Sequence, residues 1–274
     1  MSTLPRTEAP AELSKPGLVL LWGNSPNGWK PTYLLEALKE AGSIPEYTVV
    51  EVNLSVGVSE QFQDWFVAVN PNSKMPALLD NRGDGKPPLR VFESASILLY
   101  LAKKFDTACT FHFKDEQLEA EMISWVFWTQ ANLGPTQGQV NHFTRYASGE
   151  PQTYSINRFN AEVHRQYQVL DDHLSGKHDR KPKQYIVGGK PSLADFCTQP
   201  WVRCAFWGGI DLTSYPSVQA WHDRIEALPF VQRALQVPVQ DTRVRTTPGL
   251  EEQLTRRVRE AREKQERAEK GEGQ

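Results

Sequence analysis

Three short stretches of this chain combine residue types that expose hydrogen-bonding groups. In Ser25-Pro26-Asn27-Gly28-Trp29-Lys30, the Ser25 hydroxyl, the Asn27 carboxamide or the loop's backbone N–H groups could donate a hydrogen bond to a thiolate. Such a bond, with a nearby helix N-terminus, lowers a thiol pKa from ~8.5 toward neutrality. The second stretch ends in Met75-Pro76. An X-Pro bond becomes cis at a cost of only ~0.5–1 kcal/mol. A cis bond here would turn the backbone N–H and C=O of Met75 outward, where a ligand's peptide backbone could pair with them; a trans proline ending the loop is the equal alternative. The third is Glu93-Ser94. Ser94 is expected to N-cap a helix whose first-turn N–H groups suit a carboxylate, with Glu93 free to meet a ligand ammonium. Taken singly, each stretch is also an ordinary turn, loop end or cap.

These groups work only if the chain brings them to one edge, and the periodicity says that it does. Leu18 to Gly23 is an almost continuous apolar run closed by turn formers, hence a buried strand and loop. From Lys30 to Ala41 the apolar residues recur at helical spacing, Gly42 supplies a stop, and Tyr47 to Leu54 alternates as a strand. The unit is βαβ, with a right-handed crossover and parallel strands. The Ser25 to Lys30 loop then lies at the carboxyl edge, where open α/β sheets place ligands. A short helix is expected over Ser59 to Val67, then strands at Ala77 to Leu79 and Leu89 to Phe92 around a Gly/Asp/Pro-rich turn, then a helix from Ser94 to about Phe105. The order βαβ then ββα makes a thioredoxin-like layer. Beyond Lys114 only helical periods remain: Gln117 to Asn132, Thr153 to Leu174, Leu193 to Gly208, Ser217 to Leu228 and Val231 to Leu235. The boundaries read as a flexible arm over 1–16, domains over 17–106 and 114–238, and a charged tail over 239–274, a solvated helix or tail rather than a partner-binding helix.

Composition narrows the classes. A chain of 274 residues with 39% hydrophobic content can bury a real core. Thirty-one Lys and Arg against 33 Asp and Glu give a net charge of -2, which argues against nucleic acid. The three cysteines form no C-x-x-C pair, which fits a reducing cytosol, and the absence of a signal or membrane-spanning run points to a cytoplasmic protein. None of the six histidines stands at a metal-ligand spacing and no P-loop is present, so neither metal nor nucleotide is expected.

The series N-P-N-S-K-M-P-A-L, a hairpin, then F-E-S-A-S-I-L-L-Y-L-A resembles the glutathione-binding signature of the cytosolic glutathione transferases. Ser192-Leu193-Ala194-Asp195 is similar to that family's helix-capping box, a folding device. The first loop and G-P-T-x-G-Q-x-x-H-F-x-R-Y from Gly134 to Tyr146 resemble the fungal nitrogen-regulator-like and bacterial Nu-class branch, and the likeness spans roughly Leu18 to Leu235. It implies a thioredoxin-like N-terminal domain that binds glutathione and an all-helical C-terminal domain that shapes a second pocket. By the same likeness Asn27 meets the glutathione sulfur, Met75-Pro76 pairs with the cysteinyl backbone, Glu93 and Ser94 hold the γ-glutamyl end, and Lys74 helps hold a carboxylate. Gln61 is assigned to the glycine carboxylate, although the loop from Asn53 to Trp65 is longer than the branch pattern.

The first loop contains neither Tyr nor Cys, so the tyrosine- and cysteine-type active residues of the family are absent; Tyr33 reads as core. The second pocket is expected between this loop and the Gln130 to Tyr146 region, with Trp128, His142, Phe143, Arg145 and Tyr146 as lining candidates and Trp201, Phe206 and Trp207 behind them. The resemblance implies a glutathione transferase attacking an electrophilic small molecule, in fungal detoxification or secondary metabolism, as a homodimer without membrane attachment. The alternatives are a glutathione-dependent cis/trans isomerase, two-glutathione disulfide chemistry, and a non-enzymatic regulatory or assembly module.

Overall fold

A computed structural model of the chain describes residues 4–54, 58–147 and 152–238; the segment 239–274, read from sequence as a charged tail, lies outside them. The first half is a four-stranded sheet in the order β2-β1-β3-β4, from β1 (Gly17–Trp22), β2 (Tyr47–Glu51), β3 (Ala77–Asn81) and β4 (Leu89–Phe92). β1 pairs parallel with β2 and antiparallel with β3, and β3 pairs antiparallel with β4. Side chains alternate across a strand. Leu18, Leu20 and Trp22 therefore join the core under α1 (Pro26–Glu40) and α3 (Ser94–Phe105), while Val19 and Leu21 pack on Trp65 and Phe66 of α2 (Asp64–Val67). This is the expected thioredoxin-like layer.

Three sequence readings need correction here. The first helix starts at Pro26, not Lys30, because Ser25 caps it and Pro26 has the fixed φ suited to the first helical position. The S-P-N-G stretch is thus the cap and first turn of α1 rather than an extended loop. The segment ahead of β1, read as a flexible arm, is tethered from residue 4 onward. Asn81 Nδ2 donates to the carbonyls of Leu13 (2.8 Å) and Lys15 (2.5 Å), Trp65 Nε1 donates to Arg6 O (2.7 Å), and Arg6 forms a 2.6 Å ion pair with Glu60. The expected helix over Ser59 to Val67 is split into a 3-10 turn, Glu60–Phe62, and the single turn of α2.

The second half is helical. α4 (Glu116–Trp128) runs on through a π turn at Thr129–Leu133 into α5 (Gly134–Asn141), and a second π turn at His142–Tyr146 follows. The helix expected to end at Asn132 instead continues past Gly134-Pro135. Pro135 has no N–H to donate, and the wide turn, closed by Gly134 N–H on Thr129 O, absorbs the gap. α6 (Thr153–Ser175) ends on Gly176 at φ +72°, and α7 (Leu193–Arg203), α8 (Pro216–Glu226) and α9 (Pro229–Ala234) complete the bundle. α7 stops at Arg203, and a separate 3-10 turn covers Ala205–Gly208. The capping box is present: Asp195 Oδ2 accepts from Ser192 N (2.8 Å), while the Ser192 side chain receives the N–H of the helix's third residue.

The halves meet where α1 packs on α7 and α9. Residues Gly28 to Leu38 are all buried, Lys30, Thr32 and Glu36 among them, so α1 is enclosed by its neighbours on nearly every side. Tyr33 is core, as expected, and its hydroxyl donates to Gln199 of α7 at 2.9 Å.

Candidate active site

The turn from β1 into α1 leaves no slack. A Cβ on residue 28 would stand 2.2 Å from the carbonyl oxygen of Gly23, and one on residue 23 would stand 2.7 Å from Met75 Cγ. Two glycines thus let β1, α1 and the loop before β3 converge. Within this turn Ser25 acts as the N-cap: its Oγ accepts from Gly28 N (3.2 Å) and donates to Gly23 O (3.4 Å). Asn27 behaves differently. Its Oδ1 accepts from the indole Nε1 of Trp201 on α7 at 3.2 Å. An indole N–H only donates, so the amide oxygen must face Trp201 and the NH₂ must face away. Among the described residues that NH₂ has no protein partner. Trp201 is itself seated on Gly134, where a Cβ would stand 3.0 Å from Nε1, and its carbonyl accepts from Gln137 Nε2 at 2.9 Å.

On the far side of Gly23, the Met75–Pro76 bond is cis. Met75 lies just beyond the ladder, whose last pairs join Ala77 to Leu21 and to Phe92. Buried Asn70 shapes the preceding loop: its Nδ2 donates to Lys74 O (2.7 Å) and its Oδ1 accepts from Asn72 N (3.0 Å), while the Lys74 side chain stays exposed. Asn72 Nδ2 then donates to Glu93 Oε1 at 3.3 Å. Glu93 holds φ +70°, a region non-glycine residues seldom adopt. Glu93, not Ser94, occupies the cap position of α3, its carbonyl taking the first helical bond from Ile97 N (2.9 Å). The expectation that Ser94 caps is therefore corrected. Its hydroxyl, only 3% exposed with its residue, accepts from Gln130 Nε2 of the first π turn at 3.2 Å.

Behind Gln130 lies Lys30, fully buried in the second turn of α1, whose ammonium donates to Gln130 Oε1. Burial holds the lysine below the usual ammonium range, against the opposing influence of Cys197 and Glu93. Burial likewise pushes the Cys197 thiol up, with Lys30 pulling the other way. Sequence reading passed over Lys30 and Gln130. A lysine amid a run of apolar helix positions was the available signal, since such a residue goes inside only with a polar partner.

A separate aromatic cluster is built on the second π turn. Arg145 Nε donates to Trp207 O, its NH2 to Phe206 O (3.4 Å), and the guanidinium lies 4.7 Å from the Trp207 ring centroid. Trp207 Nε1 donates to the Tyr146 hydroxyl at 2.8 Å. Arg145, Tyr146, Phe206 and Trp207 therefore form one cluster. Other candidates fall outside it. Exposed His142 stands edge-on to Phe143, and Trp128 packs edge-on to Trp125 at 5.1 Å, against the helical core. Gln61 sits on the 3-10 turn beside Glu60, its Oε1 buried and without a hydrogen-bond partner among the described residues. A cavity of about 530 Å³ opens between that turn and Asn24, bordered by Arg6, Asn53 and Leu54.

Comparison with known proteins points the same way. Residues 17–103 match the model for the glutathione S-transferase N-terminal domain, and residues 141–229 match that for the C-terminal domain. The chain is 36% identical over 219 residues to the disulfide-bond oxidoreductase YfcG of Escherichia coli, covering 79% of this chain and 93% of that protein. It resembles the crystal structure of glutathione transferase YghU from Streptococcus pneumoniae, complexed with glutathione, with a TM-score of 0.73 and 34% identity over 86% of this chain and 87% of the other. A glutathione transferase homolog from Lodderomyces elongisporus, with two glutathiones per subunit, gives a TM-score of 0.72 and 32% identity over 82% of this chain and 99% of the other.

Proposed function

The chain belongs to the glutathione S-transferase family, and from that premise we propose that it binds glutathione and activates its thiol through the Asn27 carboxamide, in the manner of the Nu-class and nitrogen-regulator-like branch. The observation that carries this reading is the orientation of Asn27. Trp201 takes its oxygen and leaves a donor facing away, whereas the Ser25 hydroxyl is committed to the helix cap. A hydrogen bond from Asn27 Nδ2 favours the thiolate over the thiol, and the N-terminus of α1 adds to the effect. Met75's backbone holds the cysteinyl unit, Pro76 fixes its direction, Glu93 meets the ligand ammonium and Ser94 the γ-glutamyl carboxylate; Lys74 and Gln61 serve the glycine end.

The thiolate then attacks an electrophilic carbon held against the Arg145–Trp207 wall. The new S–C bond forms as the electron pair passes to the leaving group or onto the conjugated acceptor. A second reading rests on the names of similar proteins, one a disulfide-bond oxidoreductase and one carrying two glutathiones per subunit. Here the first thiolate attacks a substrate disulfide sulfur and expels one thiolate. A second glutathione then resolves the mixed disulfide, leaving glutathione disulfide as the oxidised product. No protein cysteine is required for either course. Arg145 would meet a carboxylate of the second glutathione. The working unit is proposed to be a homodimer.

Calorimetric titration with reduced glutathione, followed by turnover of chlorodinitrobenzene and of a small disulfide, tests the proposal. Saturable binding is expected, with the faster of the two substrates choosing between transfer and disulfide exchange; absence of binding overturns it. Asn27→Ala should lower turnover about tenfold or more near neutral pH by raising the bound thiol's pKa about one unit. Loss on Ser25→Ala with Asn27→Ala unchanged would assign activation to the serine.

A further inference from the structure

Lys30 has no evident structural reason to be charged. It is 0% exposed, and among the described residues no carboxylate stands within ion-pair distance; Glu93 is the acid whose charge reaches it. A buried ammonium is costly, and the groups that answer this one are the Gln130 amide, the Cys197 thiol and, at longer range, Glu93. Those contacts lead to Ser94. The ammonium donates to Gln130 Oε1, and Cys197 Sγ lies 3.8 Å from the same oxygen. An ammonium has only donors, so it fixes the Gln130 amide with oxygen inward and NH₂ outward. That NH₂ donates to Ser94 Oγ at 3.2 Å. With its oxygen already accepting, the Ser94 hydroxyl is left to donate its own proton, in the first turn of α3 beside Glu93.

We propose that Lys30 is a positioning residue for the γ-glutamyl end of glutathione: through Gln130 it fixes Ser94 as a donor, and its buried charge is balanced by the ligand's γ-glutamyl carboxylate. The inference rests on the glutathione reading given above. It makes the γ-glutamyl subsite a product of both halves of the chain. Lys30 and Ser94 come from the sheet half, and Gln130, on the π turn, is the link contributed by the helices. The π turn is where a helix can redirect a side chain without ending, and such bulges recur at functional sites.

The test compares glutathione with cysteinylglycine, which lacks the γ-glutamyl unit, by calorimetry on the full-length protein. For Lys30→Met, glutathione affinity should fall about tenfold or more while cysteinylglycine affinity and the bound thiol's pKa stay unchanged. Gln130→Met, at a half-buried position, should give a similar selective loss and serves if Lys30→Met does not fold. The double variant should lose little more than either single one, because both interrupt one relay. Equal losses for both ligands, or no loss in a folded variant, would overturn the proposal. Failure of the unmodified protein to bind glutathione would instead overturn the glutathione reading, and this inference with it.

Discussion

The two connections that leave the parallel strands are built on opposite plans. After β1 the chain turns within residues 23–25, backbone against backbone, with room for no Cβ at Gly28 and with the indole of a residue 174 positions away holding Asn27. After β2 the chain takes a longer path to α2, fastened by an ion pair. Glu60, whose side chain is 4% exposed, accepts from Arg6 and from Asn53 N–H (2.9 Å). A close-packed turn can hold an attacking atom to a fraction of an ångström, and a charge-fastened loop can be reshaped at low cost. The groups proposed to activate the thiol lie on the first and Gln61, proposed to meet the glycine end, on the second, which is the division expected between chemistry and adaptable ligand contacts.

The sharpest way to break this contrast is Gly28→Ala. In an ordinary helix interior the change gains about 0.8–1 kcal/mol. Here the new Cβ would fall 2.2 Å from the Gly23 carbonyl, a backbone atom that cannot swing aside. A net loss of about 3 kcal/mol is expected, read as a lowered urea midpoint. Gly138→Ala is the control. Its Cβ would meet the Trp201 ring at 3.7 Å, an ordinary contact, and the midpoint should hold or rise.

Trp201→Phe sharpens the same comparison from the helical side. It removes the indole N–H and keeps most of the ring, so the Asn27 amide loses the bond that decides its orientation. The bound thiol's pKa should rise by about half a unit to one unit. Turnover should then fall about three- to tenfold below that pKa and recover toward the wild-type rate at high pH. A rate lowered by the same factor at every pH would show packing damage instead of loss of thiolate stabilisation.

What could be seen in the sequence divides along the same line. The succession of elements βαβ then ββα, α3 from Ser94 to Phe105, the Ser192–Asp195 cap and the Ser25–Asn27 stretch all depend on neighbours within a few positions, and local turn and helix chemistry announces them. The features that escaped join distant residues. Trp201 decides which face Asn27 presents, Lys30 decides the same for Gln130, and Arg6 fastens the β2–α2 path from 54 positions away. The start of α1 was misplaced for a local reason, because Pro26 and Gly28 read equally well as loop formers. The continuation through Gly134-Pro135 was hidden because a π turn replaces the missing proline donor.

The smallest expected effect belongs to the charge-fastened connection, and its sign depends on pH. Burial raises the Glu60 pKa, but the bonds from Arg6 and from Asn53 N–H outweigh it and hold the carboxyl below its ordinary value of 4.5. A group depressed on folding binds fewer protons in the native state. Its stabilisation is therefore fully present above pH 4.5 and is lost as pH falls through the native value. In Arg6→Ala the guanidinium's share of that lowering is gone while the bonds from the backbone N–H groups of residues 6 and 53 remain, so the variant's Glu60 loses less stabilisation than the wild type as the pH drops. Because Arg6 is partly exposed, solvent screening limits the difference to about 1 kcal/mol at neutral pH. Urea midpoints should show that gap as constant from pH 8 to about 5 and closing below 4.5. A gap that persists unchanged at pH 3 would mean that Arg6 holds the connection through its side-chain bond to Glu51 O and its packing on the Trp65 ring, not through its ion pair with Glu60.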